Sequence, residues 1–180
     1  MPTALKEWAT TCDHLRRGQH TLLLRKGGIQ EKRSGFILQH FDFFLYPTVF
    51  HQHRQLVTPP ETSPTAPVTE STSVTIDLYA QVEQSWCVRE LERLRTLSGL
   101  HSLPWPMVED RFHYRDKPYL DVLLVRIFRS RLTIIENRPE YAGCHSWVQL
   151  EEDIPLTGLK PVIKDSDFEQ LHERVRGLLH

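Results

Sequence analysis

Val74-Thr75-Ile76-Asp77-Leu78-Tyr79-Ala80-Gln81-Val82 sets apolar Val74, Ile76, Leu78, Ala80 and Val82 at every second position. A period of two is the mark of a strand with one face buried and one face wet. Further along, Tyr119-Leu120-Asp121-Val122-Leu123-Leu124-Val125-Arg126-Ile127-Phe128 is the most apolar strand candidate in the chain, which places it centrally. Two such strands with no long helix between them argue against a doubly wound parallel sheet. Fragments on either side add Thr21 to Lys26, Phe36 to Tyr46 (stopped by Pro47) and Cys144 to Leu150 as further strands.

Helices are expected around these strands. Leu5, Trp8, Ala9, Cys12 and Leu15 fall at helical spacing, with Thr3 placed to cap the start and Gly18 to end the run. Val88, Leu91, Leu94 and Leu97 predict a helix ending near Gly99, and Pro104 and Pro106 open another through Arg111 and Phe112. The last helix begins at the capping box Ser166-x-x-Glu169 and carries Phe168, Leu171, Val175 and Leu178 on one face. The expected fold is therefore α+β: a curved, mostly antiparallel sheet or small barrel with flanking helices, in a single domain spanning residues 1–180. Residues 58–73 break the pattern, with four of the chain's 12 prolines and eight Ser or Thr. With almost nothing apolar to anchor it, that stretch reads as a flexible insertion.

Composition narrows the function classes. A net charge of −1 exerts no global pull toward nucleic acid or anionic membrane. The charge is uneven, however: residues 1–57 hold eight Lys or Arg against four Asp or Glu, and residues 136–180 hold five against nine. The basic N-terminal part favours an anionic ligand. Cys12, Cys87 and Cys144 are an odd, widely spaced set that suits a reducing compartment. With no signal-peptide pattern and no apolar run of about 20 residues, the chain reads as cytoplasmic, with no membrane contact. Asp-x-Lys, Glu-x-Lys, Gly-x-Ser-x-Gly and Cys-x-x-Cys are all absent, which weighs against those nuclease, hydrolase and redox signatures.

Three polar clusters remain. Arg25-Lys26-Gly27-Gly28-Ile29-x-Glu31 puts two cations at a strand end before glycines, which reads either as an anion site or as a hairpin turn. Neither nucleotide-binding glycine spacing is met. Tyr46-Pro47-Thr48-x-x-His51-Gln52 suits a pocket rim that hydrogen-bonds a planar ligand, with His51 able to move protons near neutral pH. His51 and His53 form no complete metal set, so neither metal nor cofactor is expected. In Cys144-His145-Ser146-Trp147 the adjacent Cys and His point to opposite faces of a strand, and Trp147 is either a stacking residue or core. Arg111, Arg126 and Arg129 are expected to form structural ion pairs, one of them with Glu31 or Glu109.

Four stretches taken together resemble a bacterial family known as domain of unknown function 1802. They are Ala4-Leu5-Lys6-Glu7-Trp8, Leu22-Leu23-Leu24-Arg25-Lys26-Gly27-Gly28-Ile29-x-Glu31, Leu45-Tyr46-Pro47-Thr48-x-x-His51-Gln52 and Glu140-Tyr141-Ala142-Gly143-Cys144-x-Ser146-Trp147. At fold level the chain also resembles the PUA-like barrels, including the ASCH and EVE groups, whose members bind RNA or modified bases. Some ASCH members are amidohydrolases of acetylated cytidine. That resemblance implies Lys26 as activating cation or base, Thr48 as hydroxyl, and Glu31 or Glu83 as acid, although the Gly-Lys-x-x-Glu-x-Arg spacing of ASCH domains is not reproduced. The leading expectation is a module that binds a nucleotide, modified base or RNA. Its pocket would contain Arg25, Lys26, Glu31, Tyr46, Thr48, His51, Gln52 and Trp147. The alternatives are a small hydrolase in which Lys26, Glu31 and His51 are catalytic with Thr48 or Cys144 as nucleophile, and a protein-interaction module whose partner is unknown.

Overall fold

Leu22, Leu23 and Leu24 show how the sheet is buried. Leu22 and Leu24 pack with Val122 and Leu124 on one face, whereas Leu23 packs with Leu123 and Val125 on the other. Successive strand residues point to opposite faces, so a continuous apolar run marks a strand covered on both sides. The structure, a computed structural model, describes residues 1–26, 40–49, 71–143 and 145–180. The strands among them are β1 (Thr3–Trp8), β2 (Leu22–Arg25), β3 (Asp42–Thr48), β4 (Ser73–Val88), β5 (Leu120–Glu136), β6 (Trp147–Gln149) and β7 (Lys160–Pro161). The sheet order is β2-β5-β4-β3-β1-β6, with β7 pairing β5 off that path. Every pairing is antiparallel except that of β1 with β3. The result is the expected α+β fold, a mixed open sheet with helices.

One face of the sheet packs on α2 (Leu91–Thr96), α3 (Trp105–His113) and α4 (Asp165–Leu179) through Leu94, Leu97, Val108, Phe112, Phe168 and Val175. The other face packs on Cys12 and Leu15 of α1 (Ala9–Arg16). A third cluster joins Ala4, Phe44, Tyr46, Ile76, Ile135 and Tyr141 at the far end. Truncating any fully buried leucine of these clusters to alanine costs about 2–5 kcal/mol, because a cavity is left as well as a lost transfer term.

Several expectations need correcting. The opening helix is a strand followed by a short helix: residues 3–8 form β1 between β3 and β6, and helical geometry begins only at Ala9. The spacing of Leu5, Trp8, Cys12 and Leu15 is real, but pairing with two strands outweighs it, and Thr3 bonds Gln149 instead of capping. Gly18 does end α1, with φ +68, and a Cβ there would meet Ile163 at 3.1 Å.

Pro47 does not stop β3, which reaches Thr48. By that point β4 has left its side, and Pro47 faces only the parallel partner Glu7. Val88 belongs to β4, not to a helix, and β5 extends to Glu136 because the β4–β5 ladder continues past the apolar segment. Only Trp147–Gln149 of the late strand pairs. The capping box is not formed: α4 begins at Asp165 after an extended Lys164, so Ser166 lies inside the first turn and bonds Asp167. Residues 36–39 of one expected strand, and 58–70 of the expected insertion, lie outside the described residues. Residues 71–73 of that insertion lead directly into β4.

Candidate functional site

Because β1 and β3 are parallel, both end on the same side of the sheet, at Trp8 and Thr48. Chains leaving two parallel strands diverge, and the crevice between them is a common place for a ligand. Here a cavity of about 690 Å³ opens there, lined among others by Lys6, Glu7, Arg25, Tyr46, Thr48, Arg111, Asn137, Tyr141 and His145. That volume is within the range of small-molecule sites, about 300–1,000 Å³.

Its floor is an ionic cluster. Glu7 is 4% exposed, and each of its carboxylate oxygens has a donor. The Trp8 backbone N–H donates to Oε1 at 2.9 Å, and Arg25 Nη1 donates to Oε2 at 2.9 Å. Arg111 comes from α3, donates to the Leu24 carbonyl at 2.9 Å and lies over the Trp8 ring at 4.9 Å. Burial pushes the Arg111 guanidinium below its ordinary range and Arg25 repels it further, with Glu7 acting the other way. One carboxylate therefore faces two guanidiniums in a poorly hydrated place. Such an arrangement favours a second anion.

The walls are polar and aromatic. Buried Tyr46 donates its hydroxyl to Asn137 Oδ1 at 2.6 Å and meets Tyr141 edge-on, with ring centroids 5.8 Å apart. Thr48 Oγ1 donates to the Glu7 carbonyl at 3.2 Å. At the rim, Lys6 Nζ donates to the Gly143 carbonyl at 3.1 Å. Partial burial, then the Lys6 charge, hold the His145 imidazole below its usual range. Arg16 also lines the cavity, but its charge is met by Asp77 through two hydrogen bonds of 2.7 and 2.8 Å.

The expected site residues divide. Arg25, Tyr46 and Thr48 line the cavity together. Lys26 does not: its ammonium donates to the carbonyls of Phe112, Lys117 and Tyr119 at the end of α3 and sits 4.1 Å over the Tyr119 ring. Trp147 is elsewhere too, edge-on to Phe43 at 5.0 Å and beside Leu5 in the sheet. Glu83 is exposed on β4. Glu31, His51, Gln52 and Cys144, together with the Gly27-Gly28 pair, lie outside the described residues. Among the described residues the carboxylate that acts on Arg111 is Glu7; Glu31, one of the expected partners, lies outside them. Arg126 pairs with Asp165, and Arg129 donates to the Arg16 carbonyl. Sequence reasoning did not nominate Glu7, because the helical reading of residues 3–15 hid its position at a strand end. Among the described residues no three His, Cys, Asp or Glu side chains gather as a metal site, and no helix is long and apolar enough to cross a membrane.

Fold and cavity define an α+β protein with a cation-floored crevice at the end of a parallel strand pair. The chain belongs to the family described as Domain of unknown function (DUF1802), whose model matches residues 4–174, as the resemblance in its motifs led one to expect. No curated protein matches it. Among solved structures it is similar to ASCH proteins of Zymomonas mobilis. A serine-to-alanine variant is 14% identical, with 97% of this chain and 99% of that chain covered and a TM-score of 0.49. A tyrosine-to-phenylalanine variant is 13% identical, with 95% and 96% covered and a TM-score of 0.47.

Proposed function

We propose that the chain binds a nucleotide, a modified base or a short RNA segment in the cavity at the ends of β1 and β3. The observation that carries this reading is one buried carboxylate, Glu7, bonded to Arg25 and within electrostatic reach of a second guanidinium, Arg111, at the floor of a cavity walled by Tyr46, Tyr141 and Trp8. A phosphate oxygen beside Arg111 would relieve the cost of holding that cation away from water. Thr48, Asn137 and Ser146 supply hydroxyl, amide and backbone groups able to read base edges, and the aromatic wall gives a planar ring a surface to lie on. Lys26 has no ligand role in this reading. In the hydrolase alternative Lys26 is engaged by the carbonyls of Phe112, Lys117 and Tyr119, and Glu31 and His51 lie outside the described residues.

The test is a thermal-shift and calorimetric titration with nucleoside monophosphates, modified nucleosides and single-stranded oligoribonucleotides. Wild type should be stabilised by at least one class, and Arg111→Met should bind it about 10- to 100-fold more weakly, the worth of one charge-assisted hydrogen bond. Flat titrations across all classes with well-folded protein would end the proposal.

A further inference from the structure

Behind the floor of the crevice lies a second, much smaller cavity of about 10 Å³, lined among others by Glu7, Thr11, His101, Ser102 and Arg111. Glu7 and Arg111 line both cavities and so stand between them. His101, from the link between α2 and α3, brings a donor with nothing to donate to. Its side chain is buried, the residue being 8% exposed. Burial, then His20 and Arg111, hold the imidazole down to about 4, so the ring is neutral near pH 7. Nδ1 accepts the Leu103 N–H at 3.2 Å, which leaves the ring proton on Nε2. Nε2 is buried and has no hydrogen-bond partner among the described residues. Leaving such a group unpaired is costly. The rest of the wall complements it. Of the five N–H donors of Arg111, the Leu24 carbonyl takes one. Each Glu7 oxygen accepts one bond and keeps a further lone pair. Thr11 Oγ1 and Ser102 Oγ, 2.8 Å apart, share one hydrogen and keep acceptor capacity.

We propose that this cavity is a binding site for one water molecule, which joins His101 to Arg111. The water accepts the His101 Nε2–H and an N–H of Arg111, and it donates to Glu7 and to the Thr11–Ser102 hydroxyl pair. Size and chemistry both select it. Roughly 10–15 Å³ is the least that holds a water, so the space takes one and not two. Two donors set against two acceptors complement a molecule that makes two to four hydrogen bonds. Sodium would meet two N–H donors and chloride the Glu7 carboxylate, so the occupant is a neutral dipole. Through this water His101 is a positioning residue for the crevice. It ties Arg111 to the link between α2 and α3 on the side away from the crevice, and so fixes the guanidinium that the crevice presents. That consequence rests on the reading of the crevice as an anion site; the water itself does not.

A high-resolution crystal structure of the full chain without ligand should show one ordered water about 2.7–3.2 Å from His101 Nε2. Nitrogen-15 NMR should find the His101 proton on Nε2 and a slowly exchanging Arg111 Nε–H. His101→Phe keeps a ring but removes the donor, and His101→Gln returns an N–H of comparable reach. The Arg111 signal should broaden in the Phe variant and sharpen again in the Gln variant, a rescue that packing alone would not give. Adenosine monophosphate should bind the Phe variant about 3- to 10-fold more weakly than wild type, the worth of one hydrogen bond, and the Gln variant nearly as well. No water beside Nε2, or the ring proton on Nδ1, overturns the proposal. An Arg111 signal and an affinity unchanged in His101→Phe overturn the positioning role. A wild type that binds no adenosine monophosphate but shows the water and the Gln rescue supports the water site, and its failure to bind counts against the anion reading alone.

Discussion

Two buried carboxylates lie on opposite sides of the Arg25-Lys26 strand end and live differently. Glu7, on the cavity side, receives a backbone N–H and a guanidinium, and Arg111 stands near. Asp121, opposite Arg25 in the β2–β5 ladder, is 3% exposed and leaves Oδ2 without a partner. Burial pushes its carboxyl up to about 6, against the bond from Cys87 and the charges of Lys26 and Arg89. Lys26 acts on Asp121 through its charge, while its ammonium donates to the carbonyls of Phe112, Lys117 and Tyr119 at the end of α3. The lesson is that donors in bonding geometry, not cations in the vicinity, decide what a buried carboxylate costs. The cavity side is organised around bonded charge, and the Lys26 side around backbone dipoles.

The largest test of this contrast is Glu7→Gln. It keeps the shape and leaves two guanidiniums without a counter-charge, so it should lower unfolding free energy by about 3–5 kcal/mol in urea melts. A loss near zero would mean that the cluster is hydrated and that the contrast fails.

Asp121→Asn should do the reverse and show it through pH. The folded carboxyl titrates at about 6 against 3.8 for its ordinary value, so the native state binds this proton more tightly than the unfolded chain. Stability from this group is then greatest below about pH 3.8 and falls as pH rises to 6. The full cost above that, on the order of 2–3 kcal/mol, is what Asn removes. His101 slopes the other way. Burial, then His20 and Arg111, hold it down to about 4 from 6.5, so its contribution is full above pH 6.5 and is lost as pH falls through 4. Melts at pH 4, 6 and 8 should show Asp121→Asn gaining most at pH 8 and least at pH 4. A gain independent of pH would remove Asp121 from this account.

Lys26→Met should cost about 2 kcal/mol, the worth of charge-assisted bonds to carbonyls at a helix end. If it costs nothing, the end of α3 is held by its own packing. At the small end, Arg17→Ala breaks an exposed pair with Asp13 of 2.7 Å and should shift stability by less than about 0.5 kcal/mol. A larger loss would show that even exposed pairs on α1 carry structure.

How much of this was legible in the chain depends on the element. The alternation in 74–82 and the apolar run in 120–128 were readable because each strand's burial is written in its own residues. Residues 3–15 misled because β1 and α1 join without a break, and their apolar positions happen to share one helical stripe. For the cavity, Arg25, Tyr46 and Thr48 were found from polar and aromatic groups near strand ends. Glu7 and Arg111 are 104 positions apart and share nothing in sequence that links them.

The sequence by itself determined the α+β class, the principal strands, the mild basic bias of the first third and the family. These follow from local periodicity and composition, which each segment carries alone. Only the tertiary structure decided that β1 lies parallel to β3, that Arg111 of α3 comes within electrostatic reach of Glu7 and Arg25, and that Lys26 turns to the carbonyls at the end of α3. Those outcomes depend on which strands become neighbours. That choice is made by burying the whole sheet between its helices, and no single segment's pattern encodes it.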